Sequence, residues 1–385
     1  GGARRVAPVD LYNGISSTRF HSGERSGVVM FESSANVPTR VVREITREPA
    51  IVHCSSVACL NDRIVTVWYE GPYETARNTS IRMSSRPLGV DTSEGLAASG
   101  STASGRAESG NGEWAAPRTV LALPEVPLGN PVIWTEGERG LRMLFSVLMG
   151  EAWTESTLAT SFSADGGETW GAPTIFLARR GFMGKTRPVH NRDGELVLPI
   201  YDENMYAPFV AISPSVIQPE KTRVVAETMA RGKVIQPAIA ALSNGHLLML
   251  GRSNQGTIWR SHSPNDGYSW SICRATALPN PDAGIDLIRL SDGDLCLVWN
   301  NSAVERTSLS VSLSSDDGES WYCLRDVVRG DGEYSYPSVT EDAFRVLHIT
   351  YTEDRYRILE AEVATDWVRD GKLAEPLRTS AVSHE

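Results

Sequence analysis

Six stretches of the chain repeat one pattern, and five of them carry an ionisable or hydrogen-bonding side chain where the opening of an apolar strand would be expected. They begin at His53, Asn130, Lys185, Gln236, the Asp282 to Asp286 stretch, and Tyr336 with Tyr334 just ahead of it. Each leads into an apolar hairpin of similar pattern, such as QPAIAALSNGHLLMLGR from Gln236 or KTRPVHNRDGELVLPIY from Lys185. The second halves of these hairpins end on Glu70 and Glu74, Tyr201-Asp202-Glu203, Arg252, Asn300-Asn301 and Glu353-Asp354. Brought to one opening, these side chains form an acid, base and cation set suited to a sugar that carries a carboxylate. Arg187 and Arg252 can each grip a carboxylate at two points, and Lys185 adds a point charge. Glu74 and Glu203 can give or take a proton, and His53 is the side chain whose ordinary titration range lies nearest neutrality. Gln236, Asn130, Tyr201, Asp286, Asn300, Glu70 and Asn78 complete the candidate binding set as hydrogen-bonding groups.

The elements that must position these groups follow from the repeat. Hairpin starts at 53, 130, 185, 236, 284 and 336 recur about every 50 residues after the first interval. That interval is longer because Asp91–Gly112, a Gly/Ser/Ala-rich stretch, reads as an inserted flexible loop. Each unit holds about four short strands of alternating hydrophobicity bounded by Gly, Asp, Asn and Pro. The expected fold is therefore all-β: a single-domain six-bladed β-propeller of four-stranded antiparallel blades. Only three strands fit between Tyr336 and Val363, so an N-terminal strand must complete the last blade, and Gly27–Glu32 (GVVMFE) is the candidate. Residues from Ala364 to Glu385 read as a short helix and a tail.

A second repeat is the turn Ser-x-Asp-x-Gly-x-Thr/Ser-Trp, present at Ser163–Trp170 and Ser314–Trp321, with Asn265 for Asp in Ser263–Trp270. The Asp accepts backbone N–H bonds, Gly supplies backbone freedom and Trp packs between blades. A residue repeated in several blades to hold a turn is not a unique active-site acid.

This turn is the Asp-box, and from about His53 to Val363 the chain resembles the bacterial-neuraminidase-repeat branch of the sialidase superfamily. The resemblance implies an arginine triad that holds a substrate carboxylate, an Asp acid/base, and a Tyr nucleophile activated by a Glu. Glu333-Tyr334-Ser335-Tyr336 is similar to the nucleophile segment, which makes Tyr334 or Tyr336 the candidate. The loop GPYETARNTS offers Glu74 and Asn78 where the family has its Asp. Two positions differ: Gln236 stands where the family has its Glu, and strand register puts His53 at the place of the first arginine. Three readings share this opening. One is a sialidase-like exo-glycoside hydrolase acting on a terminal acidic sugar. The second is a polysaccharide lyase or His-dependent glycosidase on uronate glycans, and the third a carbohydrate-binding propeller without chemistry.

Composition narrows the field further. Hydrophobic residues at 41% and charged residues at 22% match an ordinary globular chain. A net charge of −10 argues against nucleic acid or an anionic membrane as partner; the partner expected from the site residues and the resemblance is a glycan or acidic sugar. No apolar run is long enough to cross a bilayer, and the first thirty residues lack the layout of a signal peptide. The five cysteines are scattered without metal-ligand spacing and are expected as buried free thiols, a pattern that leans toward the cytoplasm. There is no phosphate-binding glycine loop, dinucleotide fingerprint or zinc motif, so no cofactor is implied.

Overall fold

The computed structural model describes residues 28–32, 38–47, 49–88, 112–225, 230–371 and 377–378. Their strands form six antiparallel sheets, and the innermost strand of each packs against that of the next, from blade 1 round to blade 6 and back. Blade 1 comprises Ile51–Cys59, Arg63–Gly71, Ser80–Pro87 and Arg118–Leu121. Blade 2 comprises Leu128–Glu136, Gly140–Leu148, Ser156–Ser163 and Thr174–Leu177. Blade 3 has an inner strand broken into Phe182–Gly184 and Val189–His190, then Leu196–Asp202, Ala207–Ser213 and Arg223–Val225. Blade 4 comprises Val234–Ala241, Leu247–Ser253, Thr257–Ser263 and Arg274–Pro279. Blade 5 comprises Asp286–Arg289, Leu295–Trp299, Ser308–Ser314 and Ser320–Arg329. Blade 6 comprises Tyr334–Glu341, Val346–Glu353, Arg357–Ala364 and the N-terminal Pro38–Arg47.

Local sequence explains the hairpins. Asp193-Gly194, Asn244-Gly245 and Asp292-Gly293 turn the first hairpins of blades 3, 4 and 5, with the glycines at φ +77, +78 and +99, where other residues are strained. Second strands, sandwiched between blades, are almost wholly buried; every residue of Leu247–Ser253 is inside. The Asp-box turns join third to fourth strands at the face opposite the ends of the second strands. In them Asp165, Asn265 and Asp316 each accept a backbone N–H at 2.9 Å, from Thr169, Ser269 and Ser320. Hydrogen bonds from Thr169 hold Asp165 below the usual carboxylate range. Trp270 is buried with blade 3 residues Val197 and Ile212, and Trp321 with blade 4 residues Leu248 and Leu250.

Ring closure differs from expectation in its strand. Pro38–Arg47, not the segment ending at Glu32, pairs with Arg357–Ala364, and Val28–Glu32 adds a fifth strand outside it. Among the described residues of this strand only Val41, Ile45 and Thr46 are buried, interspersed with the charged residues Arg40, Arg43, Glu44 and Arg47. That alternation looks polar, whereas VVMFE looks like core. In the C-terminal segment, Thr365–Arg369 is helical and Leu377–Arg378 edges blade 5. The inserted loop Asp91–Gly112 falls between the third and fourth strands of blade 1 and, Gly112 apart, lies outside the described residues. No helix among the described residues is long and apolar enough to cross a membrane.

Blades 1 and 6 meet over a buried ionic network. Arg86 grips Glu360 with Nε and Nη2 at 2.9 and 2.7 Å and reaches Glu362 at 2.7 Å. Trp114 Nε1 adds a bond to Glu360 at 2.9 Å, and Arg43 one to Glu362 at 2.6 Å. His348 lies between Glu360, at 2.9 Å from Nδ1, and Asp342, at 3.1 Å from Nε2. The donors of His348, Glu360 and Glu362 lie within 4.8 Å of one another. Arginines already take the glutamate oxygens, so the cluster works as an ionic clasp. Burial alone would lower His348, but hydrogen bonds to Asp342 and Glu360 outweigh it and raise its pKa. Burial would likewise raise Glu360 and Asp342, yet their partners hold both below the usual range.

Removing one partner from this clasp strands a buried charge, so Arg86→Met is expected to cost about 3–5 kcal/mol in chemical denaturation. His348, raised on folding, contributes stability that is complete below its unfolded value and lost as pH climbs through the folded one. The lowered carboxylates contribute above their unfolded values and fade as pH falls through their folded ones. Melting temperature measured against pH is therefore expected to be highest between about pH 4.3 and 6.5. His348→Gln is expected to flatten the alkaline limb; an unchanged limb would show that the clasp does not set it.

Candidate active site

The inner strands do not run regularly past the axis. In blades 1, 2, 4 and 6 the ladder breaks between His53 and Ser56, Gly129 and Val132, Ile235 and Pro237, and Ser335 and Ser338. At each break one residue sits at positive φ: Cys54 at +56, Asn130 at +43, Gln236 at +50 and Tyr336 at +54. Such bulges re-aim side chains and strain a non-glycine backbone, a device concentrated at functional sites. The structural equivalent of Gln236 in blade 1 is therefore Cys54; the register expected from sequence, which gave that place to His53, is off by one. His53 nonetheless faces the opening. Gly284 of blade 5 lets the ring close tightly, since a Cβ there would lie 3.2 Å from Gln236 Oε1 and 3.4 Å from Lys185 Cε.

The opening is a polar cavity of about 210 Å³. Every blade sends one residue into it from the end of its second strand or the connection that follows: Glu74, Trp153, Glu203, Arg252, Arg306 and Arg355. The inner strands add His53, Asn130, Met183, Ile235, Gln236 and Tyr336, and Tyr69 and Tyr201 complete the wall.

Hydrogen bonding fixes the centre. Arg252 Nη1 donates to Gln236 Oε1 at 3.0 Å and to the Tyr336 oxygen at 3.2 Å, and its Nε donates to Asp282 at 2.9 Å. An arginine only donates, so Gln236 must turn its amide nitrogen the other way. That nitrogen donates to Tyr336 Oη at 3.2 Å and Tyr201 Oη at 3.4 Å. Two N–H donors thus converge on the Tyr336 oxygen. Asn130 donates to Tyr201 Oη at 3.1 Å. Arg306 binds Glu333 at 3.0 Å and the carbonyl of Asp282 at 2.7 Å, while Arg355 pairs with Glu74. Lys185 lies beneath, bonded to the Pro337 carbonyl at 2.9 Å, with its ammonium 5.8 Å from the Tyr336 ring centre.

Electrostatics follow from burial among cations. Burial first, then Arg355, Arg306, Lys185 and Arg252, push His53 well below its ordinary value, so it is neutral at pH 7. Among the described residues its Nδ1 has no hydrogen-bond partner, and its ring lies against Tyr336 with centroids 4.2 Å apart and planes tilted by 55°. Burial raises Glu203 despite the opposing pull of Arg252, and it raises Tyr201 and Tyr69. For Arg252 burial lowers the value, but Tyr336 and Asp282 more than reverse it.

Of the residues singled out from sequence, Tyr336, His53, Glu74, Glu203, Arg252, Gln236, Asn130 and Tyr201 meet in this cavity, with Lys185 under its floor. The others lie elsewhere. Tyr334 turns into the blade 6 core against Tyr351, with ring centres 6.2 Å apart. In a regular strand it would share a face with Tyr336, but the bulge breaks that parity. Arg187 and Asp286 pair with each other at 3.2 Å, away from the cavity wall. Asn300 ties blade 5 to blade 6 through the Tyr334 carbonyl at 2.7 Å, Glu70 faces Arg82 at 3.5 Å, and Asn78 is exposed on its loop. Arg306, Arg355, Trp153, Tyr69, Met183 and Ile235 were not singled out. The signal for the arginines was positional, because Arg306 and Arg355 occupy the same connection in blades 5 and 6 that Glu203 occupies in blade 3.

The profile of the BNR repeat-like domain matches residues 62–349. No curated protein matches the sequence. Among solved structures, a Hadza microbial sialidase superposes with TM-score 0.65 at 16% identity, over 82% of this chain and 66% of that one. The leech intramolecular trans-sialidase, in complex with 2,7-anhydro-Neu5Ac, gives 0.66 at 11% identity, covering 85% and 70%. The intramolecular trans-sialidase of Ruminococcus gnavus, in complex with oseltamivir carboxylate, gives 0.65 at 12%, covering 86% and 98%. At these identities the likeness establishes the fold.

Glu203 yields a direct test of the cavity's electrostatics. A carboxyl raised by folding weakens the protein once it must ionise, so Glu203→Gln is expected to raise the melting temperature at pH 7–8. Near pH 4 the two proteins are expected to melt together. Equal melting temperatures at pH 8 would show that Glu203 is not held in a desolvated site.

Proposed function

Because the chain belongs to the BNR repeat-like domain family, and its propeller cavity gathers three arginines around a tyrosine, we propose that it is a sialidase-like exo-glycoside hydrolase acting on a terminal sugar that carries a carboxylate. The observation that carries this reading is the set Arg252, Arg306 and Arg355 facing one cavity with Tyr336. A planar guanidinium matches a carboxylate, and in a confined cavity three of them favour an anionic group strongly. Solved neighbours that are sialidases and trans-sialidases support the same substrate class.

In this reading the arginines hold the sugar carboxylate and Tyr336 attacks the anomeric carbon, a neutral nucleophile being better tolerated beside a carboxylate than an anionic one. Glu74 protonates the leaving oxygen as the glycosidic bond breaks. Gln236 cannot take the phenolic proton, which passes to water; the two N–H donors from Gln236 and Arg252 stabilise charge on the oxygen instead. Water then cleaves the glycosyl-tyrosine: its hydroxyl joins the anomeric carbon, its proton passes to Glu74, and the Tyr336 phenolate that leaves regains from solvent the proton it gave up.

One observation favours a second reading. His53 is neutral, buried and unbonded at Nδ1 beside the same arginines, which suits a base removing the proton next to a uronate carboxylate. The two are separated by product. Hydrolysis releases the fluorophore of an aryl sialoside, Tyr336→Phe is expected to lower kcat by about 10³-fold or more, and the unmodified protein is expected to give no unsaturated product from uronate polymers. No turnover on any sialoside, with ultraviolet-absorbing product from a uronate polymer, would replace hydrolysis by elimination.

A further inference from the structure

The three cavity arginines each hold a carboxylate, but the pairs are not tethered alike. Asp282, on Arg252, also accepts the Tyr206 hydroxyl at 2.7 Å. Glu333, on Arg306, also accepts Ser335 Oγ at 3.3 Å and lies 4.0 Å from Arg355 Nε. Glu74, on Arg355, has no second hydrogen-bond partner among the described residues. Both members of that last pair are about one-third exposed, at 32% and 37%, and such pairs are weak. Arg355 sits at a hairpin tip with Asp354, both at positive φ, and its carbonyl accepts Val52 N–H of blade 1 at 2.8 Å. Its backbone is therefore pinned across the ring seam, while its side chain needs only to rotate to exchange one anion for another.

We propose that Arg355 is a specificity-determining residue acting through Glu74: an entering substrate carboxylate takes the guanidinium, and the Glu74 carboxylate so released becomes the group that protonates the leaving oxygen. The inference rests on the acidic-sugar reading above and deepens it. Until the pair opens, the Glu74 carboxylate is bonded to Arg355 and not to a substrate oxygen. Once released, Glu74 takes a proton from water at the open mouth and gives it to the glycosidic oxygen as the C–O bond breaks, so no further reactant is required. Arg355 of blade 6 and Tyr69 and Cys54 of blade 1 are the titratable or charged groups coupled to Glu74, and only Arg355 among them is cationic. A sugar without a carboxylate leaves the pair closed, so recognition and proton donation become one event. A lone, one-third-exposed glutamate is displaced readily because the incoming carboxylate meets Arg252 and Arg306 at the same time.

Crystals of the full chain soaked with N-acetylneuraminic acid test this directly. Arg355 is expected on the sugar carboxylate with Glu74 turned to the anomeric oxygen, whereas soaking with the methyl ester is expected to leave Glu74 on Arg355. In solution, Glu74→Gln is expected to lower kcat at least about 100-fold on an alkyl sialoside but far less on an aryl sialoside, whose leaving group needs no acid. Arg355→Met is expected to raise KM while keeping kcat on the alkyl sialoside within about threefold, because Glu74 is then permanently released. Arg355→Lys, which keeps the charge, is expected to recover part of the KM and serves where the methionine variant does not fold. Sugar bound beside a closed Glu74–Arg355 pair, or a fall in kcat with unchanged KM in Arg355→Met, overturns the proposal while leaving the hydrolase reading intact. No sugar in the cavity and no turnover overturns both.

Discussion

A ring of blades holds a site at its axis only if the last blade is fastened to the first. Here that seam runs from the rim to the cavity. Outside, Arg86 of blade 1 clasps Glu360 and Glu362 of blade 6. Nearer the axis, Val57 N–H bonds Ser338 Oγ at 3.2 Å, and Val52 N–H bonds the Arg355 carbonyl. At the mouth itself Glu74 meets Arg355. The N-terminal strand Pro38–Arg47 completes blade 6, so chain closure and the juxtaposition of two candidate active-site residues depend on the same seam. A loosened ring would separate Glu74 from Arg355 before it disturbed either blade internally.

Within the cavity the dominant constraint is charge. Three arginines are crowded together above a buried lysine, which without counter-charge would be unstable. Asp282, Glu333 and Glu74 supply that counter-charge in the empty state. Burial keeps His53 neutral and favours a protonated Glu203, so neither adds to the imbalance at the cavity's own expense. Four cations thus face three carboxylates, and the site offers a converging set of donors and a residual positive charge to an anion. The backbone strain at Asn130, Gln236 and Tyr336 belongs to the same design, since the bulges turn those three side chains from the inner strands into the cavity.

The fold was readable because repeats amplify weak signals: one hairpin is ambiguous, but six at nearly equal spacing with three Asp-box turns leave little choice. The positions on second strands and just beyond, such as Arg252, Glu203 and Glu74, were readable for the same reason. What escaped reading was whatever broke the period. The bulge displaced the register by one residue at His53 and Cys54, and it sent Tyr334 and Tyr336 to opposite sides despite their even spacing. Arg306 and Arg355 lie in connections of different length, so their shared position after the second strand, the one signal for them, is read only once the strand ends are fixed. The closing strand was misplaced because a few buried residues in a charged strand are a fainter signal than a run of apolar residues.

Gln236 brings these threads together. The family resemblance leads one to expect a carboxylate there, but a carboxylate at that position would face Arg252 in a cavity already balanced by Asp282. The amide instead accepts from Arg252 with its oxygen and donates to Tyr336 and Tyr201 with its nitrogen. A glutamate could accept from all three neighbours but could not donate to either phenol unless protonated. In the hydrolase reading proposed above, the exchange removes a base from beside Tyr336 and adds a donor to it. Activation in that reading would rest on electrostatic stabilisation of the phenolic oxygen instead of proton abstraction, which places more of the work on Arg252.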